Sequence, residues 1–269
     1  MQILLDVVKG ADNMIKDLYR EQQINEAEGT FEAGQVPKKY LECERKKTFL
    51  LLILIAGIYG AYTYTLKGGI FCNAQTANFV LLSMALGNQK WMEAIYLLIP
   101  ISAYFLGTII SEVVAVHIKK LHILRWDTLL IGIEIIVVIV LGALPASVPD
   151  QICQVALNFI CSMQFNTFRQ AEGMPMATTF CTNHVRQIGS SLVKYYRHHD
   201  EESKAKCQMH GSMLLFFLIG GIICVIFCRL FSVRAIWVAL VFLVFLFIRL
   251  MIADLTYEKD LLERVPKGH

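Results

Sequence analysis

Between Thr48 and Leu66 the chain continues for the length of a bilayer crossing without one Asp, Glu, Lys or Arg. A helix rises about 1.5 Å per residue, so ~20 apolar residues cross ~30 Å of hydrocarbon. Lipid offers no partner for backbone N–H and C=O groups, so such a segment must satisfy them internally as a helix. Comparable stretches recur at 94–116, 127–146, 151–168, 210–229 and 234–253, predicting six transmembrane helices. With 56% hydrophobic and 17% charged residues and a mean hydropathy of +0.53, the chain is more apolar than a soluble core of this length requires. The net charge of +3 is spread over short clusters between apolar stretches, which argues for membrane topology and against a nucleic-acid partner.

Two shorter segments, 71–87 and 176–194, decide the topology. Lys and Arg near span ends stay in the cytoplasm. The clusters Arg45–Lys47, Lys119, Lys120 with Arg125, and Lys194, Arg197, Lys204 with Lys206 all fall inside only if both short segments enter and leave on one side. The expected fold is therefore an all-α polytopic membrane protein, with six spans, two re-entrant half-helices and both termini cytoplasmic. Its expected parts are a cytoplasmic amphipathic helix and linker (1–47), repeat one (48–149), repeat two (150–254) and a cytoplasmic tail (255–269). Nothing in the first residues resembles a cleaved signal peptide.

Placing Thr76 over Thr182 brings 57–86 and 163–192 into ungapped register. Each copy has an aromatic span end, a Gly or Pro break (Gly68 and Gly69; Gly173 and Pro175), a polar turn and a short helix. Two spans follow each copy. Three crossings per copy is an odd number, so the copies run in opposite directions, a 3+3 inverted repeat. Broken helices in inverted repeats point to transport, because their N-termini meet near the midplane and carry free N–H groups and partial positive charge.

The residues expected to line a solute site are Asn73, Gln75, Thr76 and Asn78 in the first copy. In the second they are Gln164, Asn166, Arg169, Thr178, Thr179 and Thr182. A buried amide without a partner costs about 1–3 kcal/mol, so each of these serves either a solute or a cap and interhelical hydrogen bond. Glu134, seven residues into an apolar span, is a candidate for coupling or for pairing with Arg169 or Arg186. His184 is a titratable candidate and Arg186 a gating one. Glu112 is expected to reach the interface, and Arg169 with Glu172 forms either a salt bridge or a substrate contact.

The eight Cys include no C-x-x-C pair, and most lie in apolar runs as small hydrophobes, so no metal is expected. No phosphate loop, nucleophile elbow or H-E-x-x-H occurs, so neither catalysis nor a cofactor is expected. The expected partners are the lipid bilayer, a small solute or ion, and a second copy in a homodimer.

Through GGIFCNAQTANFVLL and MQFNTFRQAEGMPMATTFCTNHVRQIGSSL the chain resembles the YoaK family of bacterial membrane proteins over about 50–253. Thr76 and Asn78 match the family's first motif; Gln164, Asn166, Arg169, Thr178, Thr179 and Thr182 match its second. Ala77 and Asn183 replace the glycines of the two T-G signatures, and Gly60 stands where an acidic residue is expected. The resemblance implies a multi-pass protein of the bacterial inner membrane and names no substrate. Two functions are expected: a transporter or channel for a small anionic or polar solute, or a non-transporting scaffold or sensor presenting its N-terminal helix.

Overall fold

A computed structural model describes residues 40–118, 124–262, 264 and 266. The amphipathic helix expected over 1–20, most of the linker, Lys119, Lys120 and the end of the tail lie outside the described residues. Eight α-helices make up the described fold: α1 Lys46–Leu66, α2 Gln75–Gly87, α3 Trp91–Ile118, α4 Trp126–Ala143, α5 Asp150–Thr167, α6 Thr182–His198, α7 Glu201–Phe231 and α8 Val238–Leu255. Between α5 and α6 the two-residue strands β1 (Gln170–Ala171) and β2 (Met174–Pro175) pair antiparallel.

Four helical stretches are long and apolar enough to cross a membrane: Lys46–Leu66, Trp91–Ala115, Trp126–Ala143 and Glu201–Leu255, the last holding both α7 and α8. Their outward faces are apolar, with Phe105, Ile136, Leu215, Val241 and Phe245 all more than half exposed. Patches of this extent are not sustained in water and match lipid. α5 is not among the four, because it places Gln154, Asn158, Ser162 and Gln164 in the protein interior.

Contacts along the helices fix their directions. Lys67, at the end of α1, meets Asp150 at the start of α5, while Gln164 near the end of α5 reaches the Leu52 carbonyl near the start of α1. These two helices are antiparallel. α3 runs parallel to α5: Tyr96 bonds Gln154, Gly107 packs on Phe159 and Ser162, and Ser111 meets Thr167. α7 runs parallel to α1, with Leu54 and Gly57 against Gly220 and Gly221, and the Tyr62 hydroxyl on the Val233 carbonyl beyond the end of α7. α4 and α8 are antiparallel, from Thr128 on Asp254 through Gly132 on Phe247 to Gly142 on Trp237.

Small residues permit these crossings. A β-carbon at Gly57 would collide with the Phe217 carbonyl, one at Gly220 with that of Leu54, and one at Gly107 with Ser162 Oγ. Where apolar attraction between helices is weak, as in lipid, such close backbone approach supplies the packing energy. The two breaks foreseen in the sequence are left-handed turns, with φ of 71° and 69° at Gly68 and Gly69 and 81° at Gly173.

Residues 41–44, read from sequence as part of a linker, are buried. The Glu42 backbone N–H donates to Glu258 Oε1 at 2.7 Å, and its carboxylate is ion-paired with Arg249 of α8. Arg125, grouped from sequence with the topogenic cations, is buried between Asp127 and Asp254. A compensated charge of this kind says little about sidedness.

Candidate functional site

The N-termini of α2 and α6 open on one cavity of about 780 Å³. Their N-cap residues, Ala74 and Cys181, both line it, and neither helix has a side-chain cap. The first-turn N–H groups are therefore not taken up by capping side chains, and the positive ends of two helix dipoles meet at one place. Gly57, Gly60 and Gly221 make room by presenting no side chain. The walls are otherwise mainly apolar, with Phe71, Phe217, Ile222 and Ile226, and Arg229 stands at the end of α7.

The predicted residues divide sharply. Thr182 and Asn73 line this cavity, as does Thr179, whose buried hydroxyl has no hydrogen-bond partner in the described structure. Thr76 is exposed and lines none of the described cavities. Asn73 donates to the Ala56 carbonyl at 2.9 Å, and Asn78 clamps Phe71 through both N–H (3.2 Å) and C=O (2.6 Å). Those two amides hold the turn before α2 against α1, the structural member of the alternatives read from sequence. Gln75 Nε2 donates to Asn158 Oδ1 at 2.7 Å, joining α2 to α5.

A second, smaller cavity of about 280 Å³ lies where α5 ends and α6 begins, lined by Asn166, Arg169, Ala177, Phe180 and Asn183. Arg169 reaches Glu112 Oε2 at 2.8 Å and Asn166 Oδ1 at 2.8 Å, and Asn166 donates to the same carboxylate oxygen at 2.7 Å. Glu112 is thus a partner for Arg169 while its own side chain stays 63% exposed. Glu172, expected beside Arg169, instead accepts from the first N–H of α1, Lys46, at 3.0 Å. An anion there suits the helix dipole.

Glu134 does not meet Arg169 or Arg186. It is fully buried, accepts from the Tyr59 hydroxyl at 3.3 Å through Oε2, and has no hydrogen-bond partner at Oε1 among the described residues. Arg186 is exposed and bonded to Asn183. His184 is buried against His210, with Nδ1 to Nδ1 2.8 Å and its Nε2 2.8 Å from the Ala177 carbonyl. A carbonyl only accepts, so Nε2 carries the proton and His210 Nδ1 is the donor between the rings. Gln164 Oε1 and Thr178 Oγ1 are buried without a partner in the described structure.

Sequence reasoning missed Phe180, Tyr59, His210 and the amide pair Gln154 and Asn158. The last carried a signal, since two amides four residues apart in an uncharged span must share one interior face.

Apolar outer faces, close glycine crossings and buried, paired polar groups define a helical membrane protein. More particularly, the chain belongs to the family described as Protein of unknown function (DUF1275), which matches residues 48–249 and in which YoaK-like proteins are grouped. No curated protein and no solved structure matches it.

Proposed function

We propose that this protein is a secondary transporter or channel for a small solute with an apolar body and a polar or anionic end. The observation that carries the reading is the opening of two uncapped helix N-termini on one cavity, at Ala74 and Cys181. Partial positive charge and N–H donors not taken by capping side chains favour an anionic or dipolar group there. The apolar walls favour an organic solute over a bare inorganic ion, whose lost hydration they cannot replace.

The architecture behind the reading is six spans and two re-entrant helices in an inverted repeat. It is supported by helix directions: α3 runs opposite to α1, so the chain leaves α2 on the side where it entered. The same relation holds for α5, α6 and α7. The pairings also match under exchange of halves, α1 on α7 corresponding to α5 on α3, and α1 on α8 to α5 on α4. On this reading the start of α1 and the end of α8 share one side, which we take as cytoplasmic.

The test is flux of small carboxylates, benzoate and acetate, into proteoliposomes. Wild type and Thr76→Val are expected to carry benzoate, and a Thr179→Val, Thr182→Val double variant is expected to lose it. Equal flux in all three, or none above empty liposomes, would sink the reading.

A further inference from the structure

Phe180 belongs to the walls of both cavities. The larger cavity follows the second half of α1, from Gly57 to Thr65, and the matching part of α7, from Phe217 to Arg229. The smaller lies at the end of α5, between Phe165 and Arg169, and at the start of α6. Because α5 runs opposite to α1 and α7, its end lies on the side where those two helices begin. The two cavities therefore sit on opposite halves of the molecule, one toward each face, with a single aromatic ring shared between them.

We propose that Phe180 is the barrier of the permeation path, separating two half-cavities that approach from opposite faces. This role rests on the permeation reading above. The ring is held by its neighbours and not by the backbone alone: it packs on Phe165 with centroids 4.9 Å apart and planes tilted by 53°. It sits in the short turn between the buried Thr179 and the N-cap of α6, so its position moves with that helix end. Each side of the ring also has a recognition element. The smaller cavity is lined by Asn166 and Asn183 beside Arg169, which is already paired with Glu112, and the larger offers Thr182 with Arg229. A solute passing from one cavity to the other must displace a ring that otherwise closes the way, which is the gating role of small moving elements in transport and catalysis.

Native Cys181 is the reporter, since it follows Phe180 directly, is part-exposed and lines the larger cavity. The full chain in vesicles is treated with a membrane-impermeant sulfonated maleimide from each face in turn, and modification at Cys181 is read by peptide mass. Wild type and Phe180→Tyr are expected to be modified from one face only. Phe180→Ala is expected to lose that sidedness, and Phe180→Leu to fall between, which supplies a reading if the alanine variant does not fold. One-sided modification retained in both Phe180→Ala and Phe180→Leu, or two-sided modification in wild type, would overturn the barrier. Absence of carboxylate flux in wild type alongside the expected labelling pattern would remove the permeation reading while leaving Phe180 as a divider.

Discussion

Lys67 Nζ lies 3.2 Å from Asp150 Oδ1, joining the last turn of the first span to the first residue of α5. The lysine side chain is 8% exposed and the aspartate 39%, so the pair is held at the edge of the interior. Gln154 adds a bond to the Lys67 carbonyl at 2.8 Å. Asp150→Asn leaves a buried ammonium without its counter-charge and is expected to destabilise the protein by about 1–3 kcal/mol, less than a fully buried pair would cost. Thermal unfolding in detergent measures this, and Lys67→Met with Asp150→Asn is expected to restore part of the loss.

The α1–α7 crossing depends on missing side chains. Gly57→Ala and Gly220→Ala each force a β-carbon into a carbonyl of the facing helix and are expected to cost about 1–3 kcal/mol. Gly211→Ala, in the same helix α7 but with no atom within 4 Å of the added carbon, is expected to be neutral or stabilising by up to ~1 kcal/mol from helix propensity. Comparable losses at all three positions would show that the close approach is not the cause.

The imidazole pair ties α6 to α7 through groups 26 residues apart in the chain. His210→Ala leaves His184 Nδ1 buried without its donor, at a cost of about 1–3 kcal/mol. The double variant His184→Ala, His210→Ala is expected to be less destabilised than the sum of the single changes, because both halves of one interaction are removed together. Additive losses would disprove the pairing.

Asp200 caps α7, accepting from the backbone N–H groups of Glu202 and Ser203 at 3.0 Å each. The Ser203 hydroxyl and then these amides hold its carboxyl below the ordinary aspartate value. A lowered folded-state pKa means that the stabilisation is present above the unfolded value, near ~3.9, and is lost as pH falls through the folded one. Protection of the amides at 201–204, taken relative to the intrinsic exchange rate at each pH, is expected to fall on acidification across that window and to be low already at neutral pH in Asp200→Ala. Exchange rates indifferent to the substitution would remove the cap from the account.

Much of the fold was legible in the chain because membrane insertion is decided locally. An uncharged run such as Thr48–Leu66 has one viable conformation in lipid whatever surrounds it, and the glycines at 68, 69 and 173 mark breaks through their own φ freedom. The polar residues were legible as a set but not in their roles. Thr76 and Thr182 occupy the same place in the repeat and both are exposed, yet only Thr182 lines the cavity, because what packs beside each helix start is set by docking and not by position in the repeat.

Which polar groups are already committed was decided by tertiary structure alone. Arg169 finds Glu112 across 57 residues, His184 finds His210, Glu172 caps α1, and Asn78 holds the backbone of Phe71. Hydrogen bonds and ion pairs act over a few ångströms, and no spacing in the sequence reports distances between helices. Length and apolarity determined that the chain forms helices for a membrane; the packing of those helices determined which of its polar side chains a solute would meet.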